Sequence, residues 1–147
     1  MTEPLLEIEA RAYGPESSPA EVAAIRARVR RISDALILWQ EMPVMSGFSI
    51  DLLYAQVEAL HAAHGCRGLI IDARATKRPT AENRRMLHAR IAALEGKILR
   101  SAVVMSGNPF VKVAARFIAA VAPIPLTMHT SFEEAEASVM RQLSSIA

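Results

Sequence analysis

The stretch on which the fold depends is GLIIDARATKRPT, residues Gly68 to Thr80. Its first half is a short apolar run of the kind that forms a fully buried strand. A basic loop follows, and Pro79 and Thr80 are typical of the residues at which a helix begins. The stretch therefore predicts a strand, a loop and a helix, and ligands of such sheets gather beyond the carboxyl ends of the strands.

The alternation of strand and helix continues towards the end of the chain. The expected elements are a helix over 80–95, a strand over 102–105, a largely apolar helix over 110–121, a strand over 126–129 and a terminal helix that begins at Ser131. Strands that are joined by helices need right-handed crossovers and therefore lie parallel.

The chain before Gly68 predicts a hairpin and a helix. Two strand-forming runs, 29–32 and 35–40, are separated only by Ser33 and Asp34, and the second run is apolar enough to lie inside the sheet. Ser49 is expected to cap the following helix and Gly65 to end it.

The pattern predicts a single α/β domain. Its sheet is mixed and mostly parallel, with about five strands, an N-terminal antiparallel hairpin and four helices. Residues 29–147 form this domain, and 1–28 are read as an N-terminal strand or arm over 5–10 followed by a short helix or mobile link over 19–27. A chain of 147 residues fits one domain of ordinary size.

Composition excludes several classes of protein. A net charge of +2 is too mild for a nucleic-acid binder. A single cysteine, Cys66, allows no internal disulfide and no thiolate metal cage. No apolar run approaches the roughly 20 residues of a membrane span. The start of the chain lacks the pattern of a secretory signal, so the cytoplasm is the expected compartment.

The order of these elements resembles the STAS superfamily, and in particular the SpoIIAA-like (STAS/SEC14-like) group of bacterial proteins of mostly unknown function. The likeness is carried by the strand 35–40, the run 69–74 with Pro79, Thr80 and Arg84 after it, Val103-Val104, and the strand and helix over 126–137. The resemblance implies a non-enzymatic regulatory or interaction module. Its partner would be an unidentified protein, and a homodimer is one arrangement that the resemblance allows.

The chain departs from this family at one important place. STAS-type anti-sigma-factor antagonists carry a phosphorylated serine in an Asp-Ser-Ser/Thr-Gly motif at the start of the helix after this strand. Residues 75–81 have no Asp-Ser pair and no following glycine. Thr80 is the nearest hydroxyl and the candidate for modification, but the departure argues against phosphorylation-controlled sigma-factor switching.

A basic segment, defined here as residues 74–85, is the candidate anion site. Its cations are Arg74, Lys77, Arg78, Arg84 and Arg85. They lie near a helix N-terminus, which itself favours an anion. A phosphate, a carboxylate or an anionic lipid head group could bind there, with Thr76 or Thr80 donating a hydrogen bond. In the alternative interpretation the cations are solvated surface side chains and Thr80 only caps the helix.

Apolar residues outside the strands suggest a contact surface. The candidates are Phe110, Val113 and Phe117 on the helix 110–121, with Met45 and Phe48 in the apolar loop 42–48 after the second hairpin strand. The helix could complete the core, form a dimer contact or line a groove for an acyl chain.

No complete catalytic or metal-binding set is present in the sequence, and no cofactor is expected. Asp72, Ser106 and His129 share one edge of the predicted sheet, but the Gly-x-Ser-x-Gly elbow of hydrolases is missing. Asp72 is expected instead to pair with Arg74 or to cap a loop N–H. His61 and His64 have helical spacing, but no third zinc ligand accompanies them.

Overall fold

The computed structural model describes residues 8–107 and 124–146. The helices in this part are α1 (Pro19–Arg26), α2 (Gly47–His64), α3 (Ala81–Ala93) and α4 (Phe132–Ser144). The strands are β1 (Val29–Arg31), β2 (Leu36–Gln40), β3 (Gly68–Asp72), β4 (Arg100–Val104) and β5 (Leu126–His129). The predicted helix 110–121 lies outside the described residues. So does most of the predicted 5–10 strand, whose described end, 8–10, is not in a strand.

The five strands form one mixed sheet in the order β1-β2-β3-β4-β5. β1 pairs with β2 antiparallel, and all the other pairs are parallel. The register places Gln40 beside Asp72, Asp72 beside Val104, and Val104 beside His129. The predicted single α/β domain is therefore confirmed, and the carboxyl ends of four strands meet at one edge of the sheet.

Each face of the sheet carries its own core, because successive side chains of a strand point to opposite faces. On one face Ile37 and Trp39 of β2 pack with buried residues of α1, α2 and α3, among them Ile25 and Leu53. On the other face Leu36, Leu38 and Ile70 pack with Phe132, Ala135, Val139 and Leu143 of α4. Every side chain of β2 is buried, which confirms its predicted position inside the sheet.

Gly68 lets α4 approach the sheet closely. A Cβ atom at this position would lie 2.5 Å from Leu36 Cδ2 and 2.8 Å from Val139 Cγ1. These distances are shorter than a van der Waals contact allows. The first residue of β3 therefore has no room for a side chain.

The start of α2 differs from the prediction. Ser46, and not Ser49, is the N-cap: its Oγ accepts a hydrogen bond from Ser49 N at 3.1 Å, and Ser49 Oγ accepts one from Ser46 N at 3.1 Å. Ser46 Oγ also donates to Tyr13 O at 2.6 Å. This contact with a distant part of the chain favours Ser46 over Ser49. Gly65 ends the helix with φ 69°, as predicted.

The segment before β1 is joined to the same core. Ser18 and Glu21 form a reciprocal capping box around Pro19 at the start of α1. Tyr13 and Ile25 are buried in the cluster that includes Trp39. Among the described residues, no helix has the length and apolar character needed to cross a membrane.

Candidate functional site

Backbone hydrogen bonds between neighbouring strands continue past the carboxyl ends of β2 and β3. Beyond the strands, Glu41 N donates to Asp72 O at 2.9 Å and Ala73 N donates to Val104 O at 2.8 Å. Because these bonds continue the sheet ladder, the loops after β2 and β3 leave the sheet side by side. This shared edge positions the basic segment.

Asp72 and Arg74 form an ion pair at the start of the segment. The Asp72 side chain is fully buried, and its Oδ1 accepts from both Arg74 N at 3.2 Å and Arg74 Nε at 2.9 Å. Arg74 Nη2 donates to Asp72 Oδ2 at 2.7 Å. The hydrogen bond with Asp72 raises the pKa of Arg74, although partial burial opposes this. Both predicted roles of Asp72 are confirmed, and Arg74 is engaged within the protein.

The basic segment is fastened to the β2–α2 loop, defined here as residues 41–46. Lys77 N donates to Pro43 O at 2.9 Å, and Asn83 Nδ2 donates to Met45 O at 3.1 Å. Thr76 N donates to Ala73 O at 3.2 Å, which closes a turn between Ala73, bonded to the sheet, and Lys77, bonded to the loop. Two loops that are distant in sequence therefore form one surface.

Three cations of the segment point to solvent. Lys77, Arg78 and Arg85 are exposed, and no ion pair joins them to an acidic side chain in the described parts of the chain. Arg84 is only half-buried, and its Nη1 donates to Pro79 O at 3.2 Å. The free positive charge therefore lies at 77–78 and 85, while Arg74 and Arg84 help to hold the segment in place.

The two threonines of the segment have different surroundings. Thr80 is exposed, and its Oγ1 accepts from Asn83 N at 3.1 Å, so the predicted capping role is confirmed. Thr76 Oγ1 is buried and has no hydrogen-bond partner within 8–107 and 124–146. A buried hydroxyl without a partner is energetically costly. Thr76 is therefore the hydroxyl that would gain most from a ligand.

The predicted apolar contact residues are only partly described. Met45 and Phe48 are half-buried, and Phe48 packs against the core that includes Trp39. Phe110, Val113 and Phe117 lie outside the described residues. Of these five residues, the structure therefore describes the surroundings of Met45 and Phe48 alone.

Two of the three residues considered for a hydrolytic triad, Asp72 and His129, have other partners. Both carboxylate oxygens of Asp72 accept from Arg74, and His129 Nε2 lies 2.8 Å from Thr127 Oγ1. His61 Nδ1 lies 2.8 Å from Cys66 O, a backbone group just past the end of α2. Among the residues described, no group of three His, Cys, Asp or Glu side chains is placed to hold a metal ion.

A buried polar cluster next to the segment was missed by the sequence reasoning. Glu41 and Arg28 are each only 1% exposed. Trp39 Nε1 donates to Glu41 Oε2 at 3.0 Å, and Met42 N donates to Glu41 Oε1 at 2.9 Å. Arg28 Nη2 donates to Glu41 O at 2.8 Å, and Arg28 Nε donates to Gln40 O at 3.0 Å.

This cluster changes the acidity of Glu41. Burial raises the pKa of Glu41 to about 7, while the hydrogen bonds from Met42 and Trp39 and the charge of Arg28 partly oppose the shift. Arg28 lies in the sequence among Arg26, Arg30 and Arg31, and nothing in the sequence marks it as the buried one. The sequence offers one indication of this buried cluster. Glu41 is a single acidic residue between the apolar strand that ends at Gln40 and the apolar residues that follow.

Comparisons with protein families and with curated proteins found no match for this chain. An α/β fold with a five-stranded mixed sheet is what the structure itself establishes, and the narrower resemblance to STAS proteins stays an interpretation of the sequence.

Proposed function

We propose that the protein is a non-enzymatic, STAS-like regulatory module that binds an acidic protein surface through its basic segment. The observation that carries this proposal is the set of exposed cations Lys77, Arg78 and Arg85, which have no ion pair in the described residues. Such a patch attracts an acidic partner and orients it during encounter.

The attachment of the segment supports a binding role. The segment is bonded to the β2–α2 loop through the backbone nitrogen Lys77 N and the side-chain nitrogen Asn83 Nδ2, and its first arginine is paired with buried Asp72. A surface that is already ordered loses less conformational entropy when a partner binds. The backbone that carries the cations is therefore held in place before a partner binds.

The buried polar groups at this edge support a role without catalysis. The carboxylate of Asp72 is occupied by Arg74, and that of Glu41 by Trp39 and Met42. A catalytic acid or base needs access to a substrate. We assign these groups to holding the surface in shape and the exposed cations to recognition.

The test is a charge reversal with a matched control. Lys77→Glu with Arg78→Glu changes the formal net charge from +2 to −2, since 15 basic and 17 acidic residues remain. Arg67→Glu with Arg141→Glu makes the same change at exposed positions, one before β3 and one near the end of α4. We expect protein partners crosslinked in cells to be lost with the first variant and kept with the second.

Two results would contradict the proposal. In one, the wild type and both variants recover the same proteins; in the other, the wild type recovers only background. Binding of a purified partner should also weaken as salt is raised, because the exposed charges are screened. If the recovered partner is a second copy of the chain, sedimentation should show a dimer that the 77–78 variant loses.

A second candidate function is favoured by Thr76. Its buried Oγ1, which has no hydrogen-bond partner among the residues that the structure describes, lies in the same segment as the exposed cations. A phosphate or the head group of an anionic lipid could accept a hydrogen bond from this hydroxyl. The protein would then be a carrier or sensor of a small anionic ligand.

This alternative is tested with inorganic phosphate and a short-chain anionic phospholipid. Thermal shifts should appear with the wild type, and Thr76→Val should weaken binding by about 1 kcal/mol, or roughly fivefold in Kd. Thr130→Val, at an exposed position, is the control. A bare mass in native mass spectrometry of protein purified from cells, together with no thermal shift, would reject the carrier role.

A further inference from the structure

Three half-buried apolar side chains lie on the elements that adjoin the basic segment. Val44 and Met45 belong to the β2–α2 loop, and Met86 belongs to α3. Within 8–107 and 124–146, none of the three is part of either core cluster or packs against one. Met42 of the same loop is different, because it is fully buried in the core that includes Trp39. We call Val44, Met45 and Met86 the loop patch.

The elements that carry the loop patch are joined to the backbone that carries the exposed cations. Lys77 N donates to Pro43 O at 2.9 Å, and Asn83 Nδ2 donates to Met45 O at 3.1 Å. Met86 lies against the first residue of α2, since a Cβ atom added there would be only 3.1 Å from Met86 Sδ. The loop, the start of α2 and α3 therefore meet beside the basic segment.

This surface offers two kinds of contact. Lys77 and Arg78 are exposed, and no ion pair joins them to an acidic side chain in the described parts of the chain. Protein interfaces combine an apolar centre with a polar rim. Methionine side chains are flexible, so Met45 and Met86 can adapt to the shape of a partner. The loop patch and the two cations therefore have the composition of a small protein-binding surface.

We propose that the loop patch, Lys77 and Arg78 together bind a short amphipathic segment of the partner protein. Apolar side chains of that segment cover the patch, and its carboxylates pair with the cations. The inference rests on the proposed function, because it names the element of the acidic partner that the basic segment recognises. Charge complementarity selects the acidic side chains, and removal of apolar surface from water selects the apolar ones.

The exposure of the apolar side chains favours a peptide over an anionic membrane. Segments that enter a membrane interface present large apolar side chains to the lipid. Among the described residues, the exposed large hydrophobic side chain is Met140, which is 39% exposed. Met140 belongs to α4, which packs on the opposite face of the sheet from α2 and α3. The half-buried loop patch suits contact with side chains of a peptide better than insertion into lipid.

The test uses short random peptides displayed on phage and selected on the immobilised wild-type protein. We expect the enriched peptides to contain aspartate or glutamate interspersed with large apolar residues. One enriched peptide is then synthesised, and its Kd is measured by titration against the wild type and the variants.

The variants separate the apolar contact from the charged one. Met45→Ser should raise the Kd of the peptide roughly fivefold to tenfold, because a half-buried methionine buries about half of its side chain on binding. Met140→Ser makes the same change on α4 and should leave the Kd unaltered. Lys77→Glu with Arg78→Glu should abolish binding. If Met45→Ser fails to fold, Met45→Gln replaces it, since glutamine keeps the length of the side chain.

Several outcomes would overturn the inference. They are enrichment of acidic peptides without apolar residues, no enrichment at all, and an unchanged Kd in Met45→Ser. Sedimentation of the wild type with phosphatidylserine vesicles, lost in Met45→Ser, would identify a membrane as the occupant instead. An unchanged Kd in Met45→Ser combined with lost binding in the 77–78 variant would reject the loop patch and leave the proposed function intact. Full peptide binding by the 77–78 variant would reject the proposed function, on which the inference rests.

Discussion

Replacing Glu41 with glutamine should remove a specific part of the pH dependence of stability. In the unfolded chain a glutamate has its ordinary pKa of 4.5, and in the folded protein burial raises the pKa of Glu41 to about 7. Below the lower value both states are protonated. Between the two values the unfolded chain gives up its proton while the folded protein keeps it, so stability falls as pH rises.

The size of the effect follows from the two pKa values. Each pKa unit corresponds to about 1.4 kcal/mol, so a difference of about 2.5 units gives roughly 3 kcal/mol. This stability is fully present below pH 4.5 and is lost once pH has risen through about 7. The carboxyl is fully buried, so solvent screening does not reduce the figure.

Urea denaturation at about pH 5 and about pH 8 measures the change for both proteins. Between these two conditions the wild type should lose roughly 2–3 kcal/mol more than Glu41→Gln. Glutamine cannot accept from both Trp39 Nε1 and Met42 N, so the absolute stability of the variant also changes, and the comparison uses the difference between the two pH values. Parallel pH profiles for the two proteins would refute the reasoning.

Three further substitutions test the packing and the local hydrogen bonds. Gly68→Ala should cost about 1–3 kcal/mol, because the new Cβ would collide with Val139; an unchanged Tm would contradict the close approach of α4. Ser46→Ala should lower the free energy of unfolding by about 1 kcal/mol through loss of the α2 cap, and a neutral result in urea would argue against that cap. Asp72→Asn should cost roughly 2 kcal/mol, since Arg74 loses a buried partner but keeps partial access to water; urea denaturation showing no loss would mean that the pair does not stabilise the loop.

The hydrogen bonds between the β2–α2 loop and the basic segment determine which residues of the surface can be substituted without disturbing it. The exposed cations Lys77 and Arg78 can be changed without touching the bonds that hold the segment, because those bonds use Lys77 N and the Asn83 side chain. Arg74 is different, since its guanidinium and backbone N–H both bind Asp72. Substitutions meant to test binding should therefore avoid Arg74.

Local patterns explain why much of the fold was predictable. The continuous apolar runs of β2 and β3 indicated buried strands, and the ends of α2 and α3 follow from Gly65 and Thr80, whose effects act within one helical turn. The Asp72–Arg74 pair joins residues two positions apart. Such features depend on neighbours in the sequence, so a single sequence is enough to suggest them.

Features that depend on distant neighbours were not predictable in the same way. Ser46 and Ser49 have the same capping chemistry, and the contact of Ser46 with Tyr13, far earlier in the chain, accompanies the observed cap. Gly68 resembles any glycine before a strand until Val139 is found beside it.

The sequence by itself determined the strand–helix alternation around Gly68 to Thr80, the parallel sheet and the cluster of cations after β3, because periodicity and local charge are written along the chain. Only the tertiary structure decided which of those cations lack an ion pair within the described parts of the chain, and which charges are buried. Arg28 and Glu41 are separated by a complete hairpin, and they meet because β1 folds back on β2. Desolvation raises the pKa of Glu41, and the charge of Arg28 partly opposes it; both follow from the packed fold and not from neighbouring residues in the sequence.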